Sequence, residues 1–162
     1  MDEVELRKEV FAWFGASVYA ANLFEQELIT LLILARRLKE DNLTYNQIEC
    51  FDINLSKKTL GGLIKELSKY FQLHTEFEDL LKNYLNKRNH LVHNFFRDNS
   101  NNLISEYGCK EMLNELKEMY RRFIEADQIS QEMSKKLREK MGWSEDMIDE
   151  IVKKSLDKKR DK

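Results

Sequence analysis

Between Leu85 and Phe96 the chain reads Leu-Asn-Lys-Arg-Asn-His-Leu-Val-His-Asn-Phe-Phe, which gathers two of its three histidines, a lysine, an arginine and three asparagines among apolar residues. A histidine, with an ordinary pKa of about 6.5, can take or give a proton at neutral pH. An arginine carries a permanent, forked charge that matches a phosphate. His93 and Arg88 together therefore suit phosphoryl chemistry that needs no metal. If the stretch is a helix, Asn89 and His93 are four apart and share a face, while Leu85, Leu91, Val92 and Phe95 anchor it. Five residues at about 100° each leave Arg88 about 140° around from His93, so the two can flank one groove without stacking.

Helices must position these groups. The chain has no proline, only five glycines and no alternating Val/Ile/Thr-rich run, so long helices are expected. A first helix is predicted over residues 3–39. Phe11, Phe14, Val18, Ala21, Glu25, Leu28 and Leu32 follow in steps of three and four, the spacing of a buried or self-associating stripe. Gly15 is a place for a bend. Glu25 breaks the stripe and has two readings, an edge carboxylate that reaches water or a group that orients Arg88 or His93 across the helix pair. Residues 40–55 read as a connection with at most a short helical turn. Ser56 reads as the N-cap of a second helix to about Phe71, in which Gly61 and Gly62 suggest close packing, since no phosphate-loop frame surrounds them.

The third helix is predicted over 75–96, buried through Phe77, Leu80, Leu81, Tyr84, Leu85, Leu91, Val92 and Phe95. Asp98-Asn99-Ser100-Asn101-Asn102 is the clearest loop and falls beside the candidate site. A fourth helix, from about Gly108 to Met141, places Met112, Leu113, Leu116, Met119, Tyr120, Phe123 and Ile124 at core spacing and turns polar beyond Ala126. Gly142 ends it. Ser144 can cap a short last helix with Met147, Ile148, Ile151 and Val152, before a basic tail to Lys162. The expected organisation is an all-α, up-and-down bundle of four to five helices over residues 1–141, followed by 142–162 as a short helix and tail.

Arg88-Asn89, three residues and then His93 resembles the Arg-polar-x-x-x-His signature of the HEPN superfamily. The position late in the third helix adds to the likeness, as does Thr59-Leu60-Gly61-Gly62-Leu63-Ile64, which is similar to segments ahead of the motif in that superfamily. The likeness covers roughly residues 1–130. It implies a two-fold homodimer and a metal-independent endoribonuclease that needs no cofactor. Arg88 and His93 are then the catalytic residues, with Asn89, Glu25 and His90 in support and Lys87 and Arg97 toward RNA. It also implies a toxin or antiviral defence setting with an antitoxin or defence-system partner. In the branch whose toxins are modified by a nucleotidyltransferase a tyrosine stands two residues after the histidine; this chain has Phe95 there.

Charge and composition set bounds. At 42% hydrophobic and 35% charged residues the chain has a core with well-solvated outer faces. A net charge of −2 argues against coating nucleic acid by bulk attraction, so RNA would need a local patch. Lys82, Lys87, Arg88 and Arg97 could supply one, or the lysines could be a solvated helix face. Cys50 and Cys109 lack a CxxC partner and are expected as reduced thiols in the cytoplasm. The acidic start, Met-Asp-Glu-Val-Glu-Leu, does not read as a signal peptide, and no apolar run is expected to be long enough to span a membrane. Two other readings stand beside the ribonuclease. One is a non-catalytic dimerisation module for RNA or protein; the other uses His90 and His93 as metal ligands, with His74, Cys50 and Cys109 scattered elsewhere.

Overall fold

The computed structural model describes residues 2–40, 42–72, 75–144 and 146–147, all-helical apart from caps and turns. Helix α1 runs from Glu3 to Lys39, opened by the Asp2 carboxylate accepting from the Glu5 N–H and closed by Arg36, Arg37 and Lys39 at its negative end. It passes Gly15 unbroken. Helix α2 follows at Tyr45–Ser56, α3 at Leu60–Tyr70 and α4 at Thr75–Asn89; a π-helical turn at His90–Asn94 leads into the single turn α5, Phe95–Asp98. A 3-10 turn at Asn102–Ile104 then enters α6, Glu106–Lys140, capped by Ser105.

Side-chain pairs give the directions. Phe24 meets Tyr84, Glu25 meets Arg88 and Phe14 meets Phe95, so α4–α5 runs antiparallel to α1. Arg7 Nε donates to the Leu103 carbonyl and Ser17 Oγ to that of Leu116, so α6 runs parallel to α1. Two apolar clusters fill the bundle. One joins Phe24, Leu28, Leu31 and Leu32 to Leu55, Leu60, Leu63, Leu67, Leu81 and Tyr84; the other joins Leu6, Val10, Ala20 and Ala21 to Leu91, Phe95, Met112, Leu116 and Phe123.

Several expectations need correction. The 40–55 connection is mostly the helix α2, because Thr44 and Gln47 form a reciprocal capping box that starts it. Ser56 therefore ends α2, and Thr59 caps α3 by accepting from the Gly62 N–H. The α1 stripe is only partly buried. Phe11 is 56% exposed and Phe14 and Val18 are half-buried, while Leu6, Val10, Ala20 and Phe24 face the core, about 100° away by helical count. Val92 is 42% exposed rather than an anchor. An added Cβ at Gly61 would stand 3.4 Å from Leu85, ordinary contact, so crowding does not require glycine there. By length and composition α1 is apolar enough to cross a membrane, with a stretch of mean hydropathy 1.4, half of it buried against the bundle. Burial in two cores accounts for that apolarity.

Gly142, at φ +73°, closes α6, and Ser144 Oγ accepts from the Met147 N–H as a cap would. His74 and the rest of the last helix and tail, Ile148 to Lys162, lie outside the described residues. Both cysteines are free, Cys50 exposed and Cys109 buried.

The polar half of α6 is not all solvated, since Asp127, Ser130 and Ser134 are buried against α1. Burial, aided by the nearby Asp127 charge, raises the Glu27 carboxyl above its ordinary value, while Ser134 and Arg138 pull it down. Burial also raises Asp127. A carboxyl raised in the folded state binds its proton more tightly there, so its contribution is fully present below the unfolded pKa and is lost as pH climbs through the folded one. Glu27→Gln is therefore expected to raise the thermal midpoint at pH 7. The gain should shrink toward pH 4 in circular-dichroism melts, and an equal midpoint at both pH values would refute the assignment.

Candidate functional site

Leu91 and Phe95 are both buried in the second cluster, and the π-helical turn lies around them. Burying Phe95 is worth about 2–3 kcal/mol, enough to hold a turn whose hydrogen bonding is poorer than an α-helix's. The Phe95 N–H bonds to the His90 carbonyl, five residues back. A turn that wide holds one residue more than an α-turn, so residues five apart are drawn toward one face. The separation of about 140° counted between Arg88 and His93 is that of a regular helix, and the wide turn between them departs from it.

Arg88 is held from the neighbouring helix. Its Nε donates to Glu25 Oε1 at 2.8 Å, and the two side chains are only 23% and 17% exposed. That charge-assisted bond fixes the guanidinium plane while leaving its two terminal amino groups for another acceptor. The His93 side chain is exposed and bonds to no described residue, and Asn89, four residues before it, is exposed as well. Its imidazole is thus available to a ligand.

His90 occupies a different place. Its Nε2 lies 3.0 Å from Glu115 Oε1 on α6, its Nδ1 3.7 Å from Asp98 Oδ2, and its ring meets Phe95 edge to face. Asn99 donates to the Phe95 carbonyl and, at 3.5 Å, to Glu115 Oε2; Asn102 donates to Asn99. The polar loop thus lies beside the site, as its position in the sequence suggested. Glu115 carried no signal of its own, being one acid among many on α6.

The expected basic patch does not assemble as a free one. Lys82 pairs with Asp79 at 3.3 Å, Arg88 with Glu25, and Arg97 binds Asn94 and Asp98. Lys87 turns to the other side of α4. There it lines a groove of about 280 Å³ against α6 with Leu80, Asn83, Tyr84, Glu118 and Arg122. Among the described residues no three His, Cys, Asp or Glu side chains are grouped to hold a metal ion.

An apolar surface adjoins the candidate pair. The Phe96 ring meets those of Phe14 and Phe11 in tilted contact, with centroids 4.7 and 5.5 Å apart, Phe11 is exposed, and Val92 is exposed next to His93 in sequence. Singly exposed apolar residues are unremarkable, but grouped aromatic ones mark surfaces that associate. Comparison with family models, with curated proteins and with solved structures finds no match to this chain.

Proposed function

We propose that the chain is a metal-independent endoribonuclease of HEPN type, assembled as a two-fold dimer. The observation that carries this reading is the π-helical turn that follows Arg88 directly, with the His93 side chain exposed in it and Arg88 held by Glu25 at the end of α4. Wide turns of this kind concentrate at functional sites. In the proposed reaction one His93 removes the proton from an RNA 2'-hydroxyl, whose oxygen attacks the adjacent phosphorus. Arg88 stabilises the charge that develops on the phosphate, and a second His93, from the other copy, protonates the departing 5' oxygen. The products are a 2',3'-cyclic phosphate and a 5'-hydroxyl.

Among the described residues each chain offers one imidazole unengaged by other side chains, that of His93, because both His90 nitrogens face carboxylates. Base and acid therefore come from two copies. The Phe11, Phe14, Val92 and Phe96 surface is the natural contact between them. A toxin or defence role, with a silencing partner protein, follows from the superfamily resemblance alone.

One observation favours a second reading. Glu25 already neutralises Arg88, and the overall charge is −2, which suits a non-catalytic dimerisation module that binds RNA or a protein. Incubating the protein with a mixed-sequence RNA and its DNA counterpart in excess EDTA separates the two. The ribonuclease cuts RNA only, since DNA lacks the attacking hydroxyl, and leaves cyclic phosphate ends. His93→Ala keeps the helical signal and the mass of two chains in light scattering but loses cleavage. An intact wild-type dimer that cuts nothing would move the assignment to the binding module, and cleavage surviving in His93→Ala would remove His93 from the chemistry.

A further inference from the structure

We propose that His90 and Glu115 are positioning residues, joined in a clasp that holds the π-helical turn against α6 and so fixes where His93 stands relative to Arg88. The inference rests on the ribonuclease reading and adds to it residues that touch no substrate. A wide turn is a strained insertion that relaxes to a regular helix unless its surroundings hold it. Here two apolar anchors, Leu91 and Phe95, hold it from the core side. They fix depth but not rotation, since apolar contact has no direction.

The clasp supplies the direction. His90 is the first residue of the turn, and its carbonyl accepts the Phe95 N–H that defines the turn's width. Its ring is held by Glu115 Oε1 at 3.0 Å from α6, with Asp98 Oδ2 at 3.7 Å from α5, the segment leaving the turn. The other Glu115 oxygen faces Asn99 Nδ2 at 3.5 Å, and the same Asn99 nitrogen bonds to the Phe95 carbonyl at 3.1 Å. One α6 carboxylate thus reaches both the entry and the exit of the turn. Asp98 is shared with Arg97 at 3.3 Å, and Arg97 also holds Asn94 Oδ1, the last residue of the turn, at 2.8 Å. Rotating the turn by one residue would pull His90 away from Glu115 on α6, and His93 would swing by about 100° with it.

The His90 and Glu115 side chains are 32% and 39% exposed, so replacing them leaves no cavity in the core. The test compares Glu115→Ala, His90→Ala and the double variant Glu115→Gln/His90→Gln, in which two amides can restore an uncharged bond. The first readout, amide hydrogen exchange, is independent of cleavage. Loss of a charge-assisted bond should speed exchange at residues 93–96 by about tenfold or more in each alanine variant, while Leu28 and Leu31 in the other cluster stay protected. The second readout is RNA cleavage, where kcat should fall by about tenfold with KM held, and the double glutamine should recover most of it.

Wild-type exchange rates at 93–96 in Glu115→Ala would overturn the clasp whatever the protein cleaves. Faster exchange with unchanged kcat would overturn its positioning role. A wild-type protein that cleaves no RNA would overturn the ribonuclease reading and the catalytic role of the clasp with it, while exchange would still decide whether the clasp holds the turn.

Discussion

Replacing Gly108 by alanine is expected to lower the thermal midpoint by as much as about 10 °C. The first turn of α6 passes so near the loop that a Cβ at Gly108 would stand 2.3 Å from the Asn102 carbonyl oxygen and 2.5 Å from its Cα. Both are backbone atoms, so no side-chain rotation relieves the clash. Overpacking of this kind costs about 3 kcal/mol, against up to about 1 kcal/mol recovered from alanine's better helix propensity. For a chain of this size each kcal/mol moves the midpoint by about 2–4 °C, which makes 10 °C the upper part of the range. The loop that must move carries the Leu103 carbonyl that accepts from Arg7, and Asn102, which holds Asn99. Gly15 is the control. A Cβ there meets nothing within 4 Å, so Gly15→Ala should raise the midpoint slightly. Melts of the two variants in which Gly108→Ala proved neutral would mean that the loop does not lie where it is described.

The contrast between these glycines marks where sequence reasoning reaches and where it stops. Helix α1 was legible because residues at steps of three and four, apolar but for Glu25, persist for about six turns from Phe11 to Leu32 with no proline among them. Its inward face was read correctly at Ala21, Leu28 and Leu32 but not at Phe11, Phe14 and Val18, since near the start of the helix Leu6 and Val10 supply a second apolar stripe, and periodicity alone does not say which of two stripes meets the core. Helix α2 was missed because its signal lies in the Thr44–Gln47 capping box rather than in apolar spacing, and Leu55 is its one buried residue. Arg88, Asn89 and His93 could be singled out by type and spacing. The π-helical turn that carries His93 could not, because it depends on Leu91 and Phe95 entering one core while His90 reaches across to Glu115. Nothing in the string marks Glu115 or Gly108, whose partners lie on another segment. The Glu25 contact was foreseen only as one of two alternatives, since a carboxylate on a stripe shows its partner only when the helices are placed.

That contact carries the second large effect. Arg88→Ala is expected to reduce RNA cleavage by about 10²–10³-fold in kcat, the range for removing a preorganised donor to developing negative charge. It also leaves the Glu25 carboxylate half-buried and unpaired, at a stability cost of about 1–3 kcal/mol, so lost activity alone would not separate chemistry from folding. Arg88→Ala/Glu25→Gln makes that separation. With the charge gone the stability loss should largely disappear, while cleavage stays as low as in Arg88→Ala. Arg88→Lys should remain well below wild type, since a point charge cannot hold Glu25 and present two further donors to a phosphate. Glu25→Gln alone keeps an acceptor for Nε but removes a negative charge beside the site. RNA should then bind more tightly and KM fall, while kcat drops about tenfold from the looser guanidinium. Wild-type kcat in Arg88→Ala would end the ribonuclease assignment for this pair. Unchanged kcat in Glu25→Gln, with only KM altered, would reduce Glu25 from an orienting group to a charge that weakens RNA binding.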